Sequence, residues 1–136
     1  RFAGKFKYEM DIQSEILELH TIKMILQPLV ENAVYHGLEK SYDEGYLKVK
    51  GWMEEDRLLF EIWDNGPGIE EEVLEKLKVI LSDPKELEKE SIKRQKVGIT
   101  NIQWRIKLML GMEYGLHISS RKGDGTTIQV HLPPII

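Results

Sequence analysis

Cysteine is absent from all 136 residues, which excludes a disulfide framework and a thiolate zinc site and fits a reducing compartment. No apolar run approaches the roughly 20 residues that a membrane-spanning helix needs, so the stretch is expected to be soluble. Positive charge is neither in excess nor gathered on one face: 19 Lys and Arg stand against 23 Asp and Glu, a net charge of −4. A protein that binds nucleic acid by neutralising phosphates needs the opposite balance, so nucleic acid is not an expected partner. The chain opens on Arg1 with no methionine and no signal-peptide pattern, and reads as a piece of a longer protein. Internal repeats are missing too. What is present, 41% hydrophobic and 31% charged residues, is a globular composition, and the length suits one domain over 1–136.

Periodicity divides the chain into about five strands and three helices. Phe6, Tyr8, Met10 and Ile12 alternate with charged residues, which predicts a half-buried strand, and a short turn follows at 14–19. Ile22, Ile25, Leu26, Leu29, Val30 and Ala33 recur at helical spacing, with Gly37 placed to end the helix. Pro28 either sits in the first turn of a helix that begins near Gln27 or bends a longer one. A polar loop at 39–45 precedes a strand marked by Leu47, Val49 and Met53. Glu54 to Arg57 is a plausible reversal into Leu58, Phe60 and Ile62, ending at a sheet edge with Asp64. Val73, Leu74, Leu77, Ile80 and Leu81 form a stripe on a helix whose start is acidic, at Glu70 to Glu72. Ser82-Asp83-Pro84 stops it, and Lys85 to Val97 reads as a charged, mobile surface loop. Ile102, Ile106, Met109 and Leu110 mark a last helix closed by Gly111, and strands at 116–120 and 126–132 flank a glycine-containing hairpin loop. Hairpins with intervening helices predict an α/β two-layer sandwich, three helices on one face of a mixed sheet.

Two polar clusters stand out. Asp64-Asn65-Gly66-Pro67-Gly68-Ile69 places a carboxylate and two glycines at a strand end, where backbone can approach a flat ligand; an ordinary strand-to-helix turn is the plain reading. In Leu26-Gln27-Pro28-Leu29-Val30-Glu31-Asn32-Ala33-Val34-Tyr35-His36-Gly37, Asn32 and His36 share a helix face. The Asn32 amide oxygen suits Mg²⁺ and His36 could reach a phosphate, although capping or surface roles are the commoner use of such residues.

The Asn32 helix, the DNGPGI strand end, the charged loop, Gly98-Ile99-Thr100-Asn101 and Gly125-Thr126 occur in that order. This arrangement resembles the ATP-binding domain of bacterial sensor histidine kinases, within the superfamily of ATPases that includes gyrase, HSP90 and MutL. The resemblance covers essentially the whole chain: Asn32 lies in what looks like an N box, Asp64 to Ile69 a G1 box, Gly98 to Asn101 a G2 box. The wording LQPLVENA with a following HG is similar to one membrane-bound subgroup of these kinases. The resemblance implies a Bergerat-type fold that binds ATP and Mg²⁺. Asp64 would accept a hydrogen bond from the adenine amine, with Gly66, Gly68 and Ile69 shaping the base pocket and Thr126 lining it. Asn32 would hold Mg²⁺, with Tyr35 and His36 nearby, and the Gly98 and Ile99 amides would meet phosphate. Residues 82–97 would form an ATP lid, with Lys93, Arg94 and Lys96 as candidates to neutralise the γ-phosphate.

The same resemblance implies transfer of the γ-phosphoryl group to a histidine on a dimerisation domain, and a cognate response regulator as downstream partner. Histidines 20, 36, 117 and 131 are the only ones here, and none lies on a long dimerising helix, so the acceptor is expected outside this chain. His117 and His131 are expected to be structural. The domain would be cytoplasmic and the full-length protein held in the cell membrane by segments absent here. Two departures bear on mechanism. Lys96 replaces the glycine that usually opens the G2 box, which could alter lid closure. Pro28 stands where gyrase-type relatives carry a water-activating glutamate, which favours transfer over free hydrolysis. A nucleotide-binding regulatory module without transfer activity, a serine kinase of the anti-sigma type and a ligand-free globular domain are the alternatives.

Overall fold

The computed structural model describes residues 6–13, 25–35, 45–93 and 98–134. Alternating side chains build β1 (Phe6–Ile12), β2 (Gly45–Glu54), β3 (Arg57–Asp64), β4 (Gly115–Arg121) and β5 (Gly125–Leu132). They form one five-stranded sheet in the order β1-β2-β3-β5-β4, in which β1 pairs parallel to β2 and every other pair is antiparallel. The rim residue Asp64 thus ends the central strand rather than an edge strand.

Register turns the sheet into rows. Val49, Ile62, Ile128 and Ile118 lie side by side across four strands, with Gly51, Phe60, Val130 and Leu116 in the row below. All of these are buried, which defines one inward face. Leu47, Asp64, Thr126 and Ser120 make the last row at the rim, where the apolar ladder becomes polar. The opposite face carries Lys48, Lys50, Glu61, Trp63 and Gln129. His117 and His131 stand there too, ring edge to ring face at 5.4 Å. On β1, Tyr8 and Met10 are exposed, against the half-buried strand expected; an edge strand has a neighbour on one side only.

Four helices are described where three were expected: α1 (Gln27–Ala33), α2 (Glu71–Ser82), α3 (Pro84–Lys93) and α4 (Ile99–Leu110). Pro28 lies in the first turn of α1, where its missing N–H costs nothing. Helix α1 packs on β3 and α4, and α4 also meets α2, α3 and β4. The loop expected at 85–97 is instead mostly α3. Asp83 begins it by accepting the Lys85 N–H through Oδ1 at 3.0 Å and the Leu87 N–H through its carbonyl at 2.8 Å. Leu87, the one aliphatic residue in the first two turns of α3, is fully buried. That single anchor turns a charged stretch into a packed helix.

The stripe on α4 is rotated from its expected position. Ile102 and Ile106 are buried but Met109 is exposed, and Gln103 goes inward instead; on α2, Val73 is likewise exposed while Leu74 and Leu81 are buried. Gln103 is satisfied there: its Oε1 accepts the Leu116 N–H at 2.8 Å and its Nε2 donates to the carbonyls of Leu81 (3.2 Å) and Leu116 (3.4 Å). One side chain therefore ties α2, α4 and β4 together. Gln103→Ala strands these buried groups and is expected to destabilise the fold by about 2–3 kcal/mol, read from the urea midpoint. No described helix is long and apolar enough to cross a membrane.

Candidate functional site

Asp64 is only 5% exposed. Its Oδ1 accepts the Gly66 N–H at 2.8 Å, an Asx-type turn in which a short side chain captures the backbone two residues on. Burial pushes the Asp64 carboxyl above the usual carboxylate range, opposed by the Gly66 hydrogen bond. Among the described residues no salt bridge offsets that burial, and a carboxyl perturbed by desolvation at a strand end is a candidate site residue.

The loop after Asp64 is strapped down on both sides. Asn65 accepts the Tyr46 N–H through Oδ1 at 2.6 Å and donates its own N–H to the Tyr46 carbonyl at 3.1 Å. Across the loop, Gly123 donates to the Pro67 carbonyl at 2.7 Å and Ile69 donates to Ser120 Oγ at 2.9 Å. Positive φ belongs to Gly68 (77°) and not to Gly66, whose place in the loop is set by its bond to Asp64. A Cβ on Gly68 would stand 2.1 Å from the Arg121 carbonyl oxygen, so glycine here lets the loop lie on the β4–β5 turn.

Thr126 is the direct cross-strand neighbour of Asp64, and Ser120 that of Thr126. Their hydroxyls meet at 2.8 Å, and Ser120 also bonds the Gly125 carbonyl at 2.8 Å. Asp64, Gly66, Gly68, Ile69 and Thr126 are thus brought together around one strand end. Ser120 and Asn65 belong to the same cluster without having been candidates. Ser120 had a signal in the sequence: it continues the inward phase of Leu116 and Ile118 as a polar residue at a strand end.

Asn32 is half-buried on α1, the helix that packs against the Asp64 strand and against α4; Tyr35 is exposed just beyond it. Gly98 precedes α4 with extended backbone, and its carbonyl accepts the Ile102 N–H at 2.9 Å. A Cβ on Gly98 would meet nothing within 4 Å, so packing does not demand glycine there. Ile99 opens α4, and the Gly98 N-cap makes no side-chain capping bond. His20, His36, Arg94 and Lys96 and the side chain of Lys93 lie outside the described residues. Among the described residues no three His, Cys, Asp or Glu converge as metal ligands. Asn32 alone therefore fits only a cation held mainly by other ligands, as Mg²⁺ is by phosphate and water.

Comparison with known proteins agrees with this geometry. Residues 18–136 match the family described as histidine kinase-, DNA gyrase B- and HSP90-like ATPases. Sensor protein LytS of Bacillus cereus is 35% identical over 134 residues, covering 98% of this chain and 21% of the relative. Sensor histidine kinase YesM of Bacillus subtilis is 30% identical over 133 residues, with 98% and 20% covered. The chain thus spans about a fifth of the length of these relatives. Among solved structures, the catalytic domain of histidine kinase ThkA superposes with a TM-score of 0.63 at 18% identity, over 97% of this chain and 82% of that one. ThkA in complex with response regulator protein TrrA superposes at 0.60 and 17% identity, over 95% and 34%.

Proposed function

Because this chain belongs to the histidine kinase-, DNA gyrase B- and HSP90-like ATPase family, we propose that it binds Mg-ATP and, within a longer sensor kinase, donates the γ-phosphoryl group to a histidine on a separate dimerisation domain. The observation that carries this reading is the buried Asp64 at the rim of the central strand, an acceptor set beside Thr126. A carboxylate accepts and never donates when ionised, so it favours a base with an exocyclic amine over one with a carbonyl there. Gly66, Gly68 and Ile69 form the wall beside the base. The Gly98 and Ile99 amides, at the start of α4, face the phosphates, and Asn32 holds Mg²⁺ that neutralises them. Tyr35 and His36 stand on the phosphate side, with Lys93 at the end of α3 and Arg94 and Lys96 after it as the candidate cations.

Catalysis in this scheme is positioning plus charge neutralisation, since phosphoryl transfer leaves little covalent work for the protein. Transfer is favoured over hydrolysis because Pro28, one turn before Asn32, cannot take a proton, and exposed Glu31 accepts from Gln27 Nε2 at 3.4 Å along the outside of α1. A response regulator is the downstream partner, by analogy with the ThkA–TrrA complex, and membrane attachment comes through parts of the protein outside this chain. Mixing the chain with a separately made dimerisation fragment and γ-labelled ATP is expected to give acid-labile, base-stable phosphohistidine. Clear nucleotide binding with no such product would leave a regulatory nucleotide module as the better account. Asn32→Ala is expected to remove the Mg²⁺ dependence of ATP binding in calorimetric titrations; equal Mg²⁺ sensitivity in the variant would remove Asn32 as the ligand.

A further inference from the structure

Ser120 ends the rim row Asp64–Thr126–Ser120, and its hydroxyl has three polar neighbours at bonding distance. The Ile69 N–H, at 2.9 Å, can only donate. The Gly125 carbonyl, at 2.8 Å, can only accept. Thr126 Oγ1, also at 2.8 Å, can do either. A serine hydroxyl has one hydrogen and two lone pairs, so the three contacts admit one complete assignment. The hydrogen goes to Gly125, because two oxygens at that distance with no hydrogen between them repel. One lone pair takes the Ile69 N–H. The other is left for Thr126, whose own hydrogen must then point at Ser120.

We infer that Ser120 holds the Thr126 hydroxyl as an acceptor, so that Asp64 and Thr126 together offer lone pairs and no hydrogen to a bound base, which selects an exocyclic amine against a carbonyl. The inference rests on the base-reading role proposed for Asp64 and Thr126. Ser120 acts as a positioning residue: it faces the protein and works through the direction of a neighbour's proton. Without it, the Thr126 hydroxyl rotates and donates to a carbonyl as readily as it accepts from an amine.

The test is the ratio of ATP to inosine triphosphate affinity, since inosine carries a carbonyl where adenine has the amine. Titration calorimetry on the whole chain is expected to show preference for ATP in the parent protein. Ser120→Ala is expected to lower that ratio about three- to tenfold, the worth of one neutral hydrogen bond. Ser120→Thr keeps the hydroxyl and is expected to keep the ratio. Equal loss of affinity for both nucleotides in Ser120→Ala, with the ratio intact, would mean that Ser120 only straps the Ile69 loop and would overturn the inference. Should Ser120→Ala not fold, Thr126→Val removes the same acceptor: a lowered ratio supports the inference and an unchanged one overturns it. Asp64→Asn separates the two levels of the argument. If that variant leaves both affinities unaltered, the base-reading role itself falls and takes the inference with it. If it collapses the ratio while Ser120→Ala and Thr126→Val do not, the inference alone is lost.

Discussion

Asp64→Asn is expected to raise the dissociation constant for ATP by about 10- to 100-fold, the worth of a hydrogen bond to a charged group, while raising the melting temperature of the nucleotide-free protein at neutral pH. The two effects have one cause. Burial holds the Asp64 carboxyl above its unfolded-state value of 3.8, so the native state binds its proton more tightly than the unfolded chain does. Such a group stabilises the fold fully below that value and loses the contribution as pH rises through the raised pKa, which leaves the ionised form a burden at pH 7. Asparagine keeps the oxygen that accepts the Gly66 N–H and removes the buried charge. The gain in melting temperature should therefore shrink as the pH is lowered toward 3.8, a trend that calorimetric scans across pH can follow. Unchanged ATP affinity would remove Asp64 from the pocket, and an unchanged or lower melting temperature at pH 7 would mean that its charge is no burden to the free protein.

Gly125→Ala is expected to cost about 3–5 kcal/mol of stability, combining positive-φ strain with a clash that the central strand cannot relieve. Gly125 has φ +91°, and a Cβ there would stand 2.1 Å from the Asp64 carbonyl oxygen. Gly123 provides the control. It has the same φ of +91° but nothing within 4 Å of a Cβ, so Gly123→Ala should cost about 1 kcal/mol from strain alone. The difference between the two urea midpoints isolates the close approach of β5 to the end of β3. Comparable losses in both variants would show that backbone strain, and not this contact, sets the requirement for glycine. In Gly125→Ala, nucleotide binding should weaken together with stability, because the displaced atoms belong to Asp64, the residue proposed to read the base.

The strands were legible because each is written in a period of two: Leu58, Phe60 and Ile62 face inward as their spacing predicts, and so do Ile128, Val130 and Leu132. The DNGPGI loop was legible for a related reason, since Asp64 and its glycines are adjacent in the chain and their geometry is local. Helix α3 was not. Leu87 is a lone aliphatic residue amid charges, too little for a hydrophobic stripe, and Ser82-Asp83-Pro84, read as the stop of α2, also holds the start of α3, with Asp83 followed three residues later by Glu86. Gln103 and Met109 exchanged expected places because polarity was weighed without partners: a glutamine with each polar atom bonded can be buried, and a methionine at a helix end need not be. Ser120 and Gly125 are long-range facts. They matter through Ile69, Thr126 and Asp64, and only strand register brings these residues together.

Trp63 and Asp64 are adjacent in β3, yet one packs against Tyr46 on the open side of the sheet, with ring centroids 5.8 Å apart, and the other lies in the inward rim row. A chain of period two makes this arrangement sensitive to length as well as to composition. Deleting one residue within β3 with the turn at its start held in place would bring a different side chain to the rim and invert every row between the deletion and the rim. Substitutions on the open face leave the rows in phase, but insertions and deletions in this strand should be tolerated only in even numbers or at its ends. Parity is thus a heritable constraint on the pocket, one that no single substitution would reveal.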